Sequence, residues 1–278
     1  MKIDSHQHFW KYDPDRDGWI TEDMSVIRRN FLPEDLQGPL AETGIDGSIA
    51  VQADQSAIET NFLLRLADEN PSILGVVGWI DLMAPSLWAQ LELYAEERKL
   101  LGFRHILQSE PAEFMLQEAF VKGLKILSDA NFTYDLLIYE HQMDEALELM
   151  SALPDTFQVV IDHLAKPKIA DRSFESWAYY LQQFAERENV QMKLSGMVTE
   201  ASWAGWQSSD FQPYLDLALE LFGPNRLMFG SDWPVCLVAA SYDQVFGIVN
   251  DYISQLSDDE QGMILGGTAA KFYNILMK

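Results

Sequence analysis

Met1–Trp10 reads MKIDSHQHFW. A short stretch of strand character, Lys2–Ser5, runs straight into two histidines, His6 and His8. The residues just past this first strand separate two architectures. An open, doubly wound sheet carries a Gly-rich phosphate loop there. SHQHFW contains no glycine. A closed barrel of parallel strands needs no such loop and gathers its chemistry at the strand ends.

The rest of the chain repeats the alternation. Short apolar runs occur at Gly47–Gln52, Ile73–Ile80, Gly102–Leu107, Thr133–Tyr139, Gln158–Asp162, Val190–Leu194 and Arg226–Gly230. With the first, that makes eight. Their starts are about 25 to 45 residues apart, enough for a helix and loops in each gap. Apolar residues near helical spacing predict helices in those gaps, as in Leu87–Arg98, Gln142–Pro154 and Phe174–Glu188. Ser257–Leu276 opens on an acidic turn and is interrupted by Gly266 and Gly267, which predicts two short helices. Buried-looking strands alternating with helices imply a parallel sheet covered on its faces. Eight of them predict a single α/β domain over residues 1–278, a (β/α)8 TIM barrel. No repeat or linker divides the chain.

Composition narrows the function. The 278 residues carry 19 basic and 43 acidic side chains, a net charge of −24. Such a chain repels phosphate polyanions, so neither nucleic acid nor an anionic membrane surface is expected as a partner. The lone cysteine, Cys236, has no internal disulfide partner and reads as packing. The first residues lack the apolar core of a signal peptide, and no apolar run approaches the ~20 residues that span a bilayer. A cytoplasmic protein is expected.

Strand ends then become the place to look. In order they offer His6 and His8; Gln52 and Asp54; Asp81; Arg104, His105 and Gln108; Tyr139, Glu140 and His141; Asp162, His163 and Lys166; Lys193 and Ser195; Ser231 and Asp232. All five histidines lie at or just past a strand. Residues two apart on a strand share a face, so His6 and His8 aim two imidazoles into one space. That suits a divalent metal or a pair of donors to a substrate oxygen. His163 follows a buried run and, taken alone, reads as a core histidine; its neighbour Asp162 is expected to point the other way. Asp232 sits in a sharp strand break before Pro234, where a carboxylate serves as helix cap or as base. Arg104 and Lys193 interrupt apolar strands and need a carboxylate neighbour or a ligand.

Taken in order, DSHQHFW (4–10), GFRHILQ (102–108), VVIDHLAKP (159–167), MKLSGMVTE (192–200) and FGSDWPV (229–235) resemble the amidohydrolase superfamily. Within it they resemble the amidohydrolase-2 type branch of sugar-lactone hydrolases, which includes lactonases of L-fuconic, L-rhamnonic and 2-pyrone-4,6-dicarboxylic acids. The resemblance implies a site of His6, His8, His163 and Asp232. Many metal-dependent relatives add a ligand on strand four or five. Here strand four offers Arg104 and His105, and strand five ends Leu137-Ile138-Tyr139 with His141 beyond. A two-metal site is therefore not expected. No cofactor is the leading expectation; the alternative is one Zn or Mn ion on His6, His8, His163 and Asp232.

The resemblance further implies hydrolysis of an aldonolactone. Asp232 is the general base for water, and His6, His8 and His163 polarise the carbonyl. Arg104, Tyr139, Lys166, Trp10, Gln52, Lys193, Trp233 and His141 are the candidates for holding a small-molecule sugar lactone. Loops 11–30 and 200–210 are expected to carry specificity, and a homodimer is left open. Two rival readings are a metal-dependent non-oxidative decarboxylase, which calls for a histidine ending strand five, and a sugar-acid binding module without turnover.

Overall fold

A computed structural model describes residues 1–275. Eight strands form one sheet in chain order: β1 (Ile3–Gln7), β2 (Gly47–Val51), β3 (Ile73–Gly78), β4 (Leu100–Ile106), β5 (Thr133–Leu137), β6 (Val159–Ile161), β7 (Val190–Leu194) and β8 (Leu227–Phe229). Every neighbouring pair is parallel. The sheet curls until its first and last strands meet, with helices between successive strands. This is the expected (β/α)8 barrel.

The seam is made by the two stretches that carry the first and last candidate residues. His8 N–H donates to the Trp233 carbonyl at 2.7 Å, and Asp232 N–H donates to the His6 carbonyl at 2.8 Å. Closing the barrel thus brings the two ends of the sequence together at the carboxyl ends of the strands.

The floor is apolar. Ile3, Ile49, Val51, Val77, Val160 and Met228 come from five different strands and pack with Ala269, Ala270, Phe272 and Tyr273 from the C-terminal end of the chain. A second, larger apolar cluster lies between the strands and the surrounding helices. Strand residues are buried on both faces, which is why the strands read as continuous apolar runs.

Some boundaries differ from expectation. β1 runs to Gln7, so His6 lies inside the strand rather than after it. The helix predicted over Leu87–Arg98 ends at Leu93. Glu96 and Glu97 would place two negative charges at its C-terminal end, against the helix dipole; residues 94–100 instead close in tight turns. The last stretch is two short helices, Asp258–Gly262 and Thr268–Phe272, joined by one wide turn. Leu276 lies outside the described residues. Among the described residues no helix is long and apolar enough to cross a membrane.

Candidate active site

Four groups converge at the seam. His6 Nε2 and His8 Nε2 are 3.2 Å apart. Asp232 Oδ1 lies 3.4 Å from His8 Nε2, 3.9 Å from His6 Nε2 and 3.9 Å from His163 Nε2. All four residues are buried. Two glycines make the approach feasible. A Cβ on Gly230 would sit 2.7 Å from the His6 Cβ. Gly196 has φ +64°, and a Cβ there would lie 2.6 Å from His163 Nδ1.

The exit of β6 has unusual backbone. His163, Leu164, Ala165 and Lys166 all have positive φ, from 48° to 57°. Non-glycine residues in this region each cost about 1–2 kcal/mol, so the surrounding packing must impose it. The turn sends both Asp162 and His163 into the barrel. This corrects the expectation for Asp162, which assumed that strand alternation continued.

The ring nitrogens have assignable roles. His8 Nδ1 lies 2.8 Å from the Val51 carbonyl, which can only accept, so Nδ1 carries the proton and Nε2 a lone pair. His163 Nδ1 meets Ser195 Oγ at 2.8 Å. When Ser195 donates, His163 Nε2–H faces Asp232. His6 Nδ1 lies 3.1 Å from Lys193 Nζ and 3.3 Å from Asp162 Oδ1. Two arrangements satisfy it. If Lys193 donates to Nδ1, His6 Nε2–H donates to His8 Nε2. If Nδ1–H turns to Asp162, His6 Nε2 is left as an acceptor.

Beneath these imidazoles lies a buried ionic layer. Asp162 accepts from Arg104 at 3.0 Å and lies 3.1 Å from Lys193 Nζ. Lys193 also pairs closely with Asp135, whose oxygens accept from the Tyr273 hydroxyl at 2.9 and 3.0 Å. The expectation that Arg104 and Lys193 need carboxylate neighbours is met by Asp162 and Asp135. Beside the seam, Asp4 accepts from Ser231 and from Tyr242.

Burial and neighbours set the charges. Burial alone would raise the Asp232 carboxyl, but the neighbouring imidazoles of His163, His8 and His6 outweigh it and hold it below the usual carboxylate range. Burial lowers His163 to about 4 and keeps it a neutral imidazole at pH 7. It also pushes His6 well below its ordinary value. Asp135 is raised to about 6 by burial, against the pull of Lys193. Asp162 is held low because Lys193, His6 and Arg104 outweigh its burial.

A cavity of about 490 Å³ opens above this floor. Arg104, Tyr139, Lys166 and Trp10 line it, together with His8, His163 and Asp232. Four other candidates do not. Lys193 is fully buried beneath His6, committed to two carboxylates. Gln52 is buried and donates to the Arg104 carbonyl at 3.0 Å. Trp233 packs edge-on against Phe9 and Phe31. His141 stacks on the Tyr139 ring. The fifth histidine, His105, pairs with Glu110 at 2.8 Å and stacks on Phe114, away from the cavity. Sequence reading missed Glu200, Trp203, Trp19 and Met24, which also line the cavity. They lie in the two loops expected to carry specificity, but loop residues have no periodicity to betray their direction.

The family model for amidohydrolase matches residues 3–275. The chain belongs to the amidohydrolase family. This amidohydrolase is 43% identical to an L-fucono-1,5-lactonase of Burkholderia multivorans, over 98% of its own length and 96% of the relative's. It is 31% identical to an L-fucono-1,5-lactonase of Burkholderia ambifaria, over 99% and 96%. A crystal structure of an amidohydrolase from Burkholderia multivorans with bound zinc superposes with a TM-score of 0.94 at 42% identity, covering 99% of this chain and all of that one.

The donor set fits one divalent ion. Four ligands about 2.0–2.1 Å from a tetrahedral zinc lie about 3.3 Å from one another. His6 Nε2, His8 Nε2 and Asp232 Oδ1 are separated by 3.2, 3.4 and 3.9 Å. The Val51 carbonyl orients His8 as an outer partner orients a metal-bound imidazole. With His6 Nδ1–H turned to Asp162, three acceptors face one another, and Arg104 Nη1, 3.3 Å from His6 Nε2, donates to one of them. The one-ion alternative therefore stands beside the metal-free expectation.

Proposed function

We propose that this amidohydrolase hydrolyses a sugar-acid lactone to the open acid, with the L-fucono-1,5-lactone class as first candidate. The observation that carries the reading is the ionised Asp232 ringed by three imidazoles on the floor of a sugar-sized cavity, in a chain 43% identical to an L-fucono-1,5-lactonase. The same reading makes the chain a single barrel domain working in the cytoplasm on a small uncharged molecule.

Asp232 takes a proton from the water that attacks the ring carbonyl. Its depressed pKa keeps it ionised for that task. His163 Nε2–H and the Arg104 guanidinium donate to the carbonyl oxygen as negative charge grows there. Neutral His163 does so without losing a full proton. His6 and His8 act on Asp232 rather than on the substrate, since His6 is fully buried and the His8 proton is committed to Val51. Protonated Asp232 then returns its proton to the departing ring oxygen. Trp10 and Tyr139 supply ring faces for the sugar. A divalent ion held by His6, His8 and Asp232, with His163 beside them, would polarise the carbonyl and lower the pKa of the attacking water.

The decarboxylase reading finds no support, because β5 ends at Leu137 and His141 stacks outside the cavity. The test is a pH-indicator screen of γ- and δ-lactones of L-fuconic, L-rhamnonic, L-galactonic and D-arabinonic acids, with and without chelator. Turnover of at least one lactone is expected. Silence across the panel in both zinc-loaded and metal-free enzyme overturns the assignment.

A further inference from the structure

Lys166 and Glu200 form an ion pair in the cavity wall, Nζ to Oε1 at 3.0 Å. Their side chains are 16% and 20% exposed, and both line the cavity. Lys166 ends the left-handed run after β6. Glu200 ends the short helix Met197–Glu200 after β7. The pair therefore bridges two strand exits at the level where substrate sits. Lys166 Nζ lies 5.8 Å from the Tyr139 ring centroid, and Trp203 lines the same cavity.

We propose that this pair is a diol clamp that reads two adjacent hydroxyl groups of the lactone ring and excludes lactones bearing a second carboxylate. The inference rests on the lactonase reading and sharpens it. An ammonium has three N–H donors, so one bond to Glu200 leaves others for a hydroxyl oxygen. The carboxylate keeps lone pairs for a hydroxyl proton. Neighbouring hydroxyl oxygens of a gauche diol are about as far apart as the two ends of one hydrogen bond. A fixed donor and acceptor 3.0 Å apart match that pattern side by side.

Charge supplies the second half. Lys166 is neutralised by Glu200, and Arg104 by Asp162. Among the described residues, no cation lining the cavity is left unpaired for a carboxylate. A carboxylated ring would instead meet Asp232 and Glu200. A neutral polyol ring meets matched donors and acceptors with aromatic faces beside them.

The test compares wild type with Glu200→Gln and Lys166→Met on L-fucono-1,5-lactone and its 2-, 3- and 4-monodeoxy analogues. Wild type is expected to reject the analogue lacking a clamped hydroxyl by about 10- to 100-fold in kcat/KM. Glu200→Gln loses that discrimination at one ring position and Lys166→Met at the adjacent one, mostly through KM. Glu200→Gln also frees Lys166, so an aldarolactone carrying a second carboxylate gains about 10-fold relative to the neutral lactone. If the variants slow every analogue equally, the pair only ties two loops together and the proposal falls. Unchanged discrimination also overturns it. Circular dichroism checks folding, and the near-isosteric Glu200→Gln carries the test if Lys166→Met does not fold. Calorimetric binding of 1,5-anhydro-L-fucitol, a ring without the carbonyl, separates the two claims. Binding weakened by Glu200→Gln supports the clamp even if no lactone is hydrolysed. Binding indifferent to Glu200→Gln in an enzyme without turnover overturns the clamp together with the lactonase reading.

Discussion

The chemistry depends on where single protons sit. Ser195 Oγ lies 2.8 Å from His163 Nδ1, and when it donates there it holds the ring so that Nε2–H faces Asp232 and the cavity. Ser195→Ala frees that orientation and is expected to lower kcat about 10-fold with KM little changed. Unchanged kcat in steady-state assays would show that the hydroxyl has no part in orienting His163. The His6–His8 pair makes a second claim at this scale. If its Nε2 atoms and Asp232 hold one ion, zinc-loaded wild type retains about one zinc per chain after desalting. His8→Ala then retains far less, read by elemental analysis. Equal zinc in the two proteins would remove these residues as ligands. Chelation tests use in turnover: activity that vanishes with the chelator and returns with zinc makes the ion part of the working enzyme.

At the scale of elements, the strand ends position the groups and the turns after them aim the groups. The strands were legible because each is buried on both faces and reads as an apolar run. His6, His8, His163 and Asp232 were legible because polar residues ending such runs have few other reasons to be there. Asp162 was not, since its direction depends on four left-handed residues that are not glycines, an arrangement fixed by packing rather than by local preference. Lys193 was misplaced for a related reason. A lysine in a barrel strand can point up to substrate or down to a carboxylate, and only the barrel shows Asp135 and Asp162 in reach. The helix Ala57–Glu69 carries a separate prediction. Glu59 accepts from the Ala53 and Asp54 N–H groups, and burial raises it to about 7. The folded chain therefore holds this proton more tightly than the unfolded one. The resulting stability is full below the ordinary glutamate value of 4.5 and is lost as pH rises through about 7. Glu59→Gln stays neutral at every pH. Its melting temperature relative to wild type should rise by about 3–6 °C between pH 4.5 and 8. A difference that stays flat with pH would show that Glu59 does not titrate in this window.

Across the whole molecule, closure of the barrel is what creates the site. The first strand with the residue just past it, and the turn after the last strand, supply His6, His8 and Asp232, more than two hundred residues apart in the chain, and the backbone bonds of the seam hold them in register. The apolar floor below and the buried ionic layer above it fix the depth at which the imidazoles stand. The acidic surface, with a net charge of −24, and a cavity whose cations are paired both suit an uncharged substrate. The most direct test is the rate of L-fucono-1,5-lactone hydrolysis, above the spontaneous rate, by wild type and Asp232→Asn, both shown folded by circular dichroism. The variant is expected to lose at least about 1,000-fold in kcat/KM. A folded Asp232→Asn protein within a few-fold of wild type would rule out Asp232 as the base.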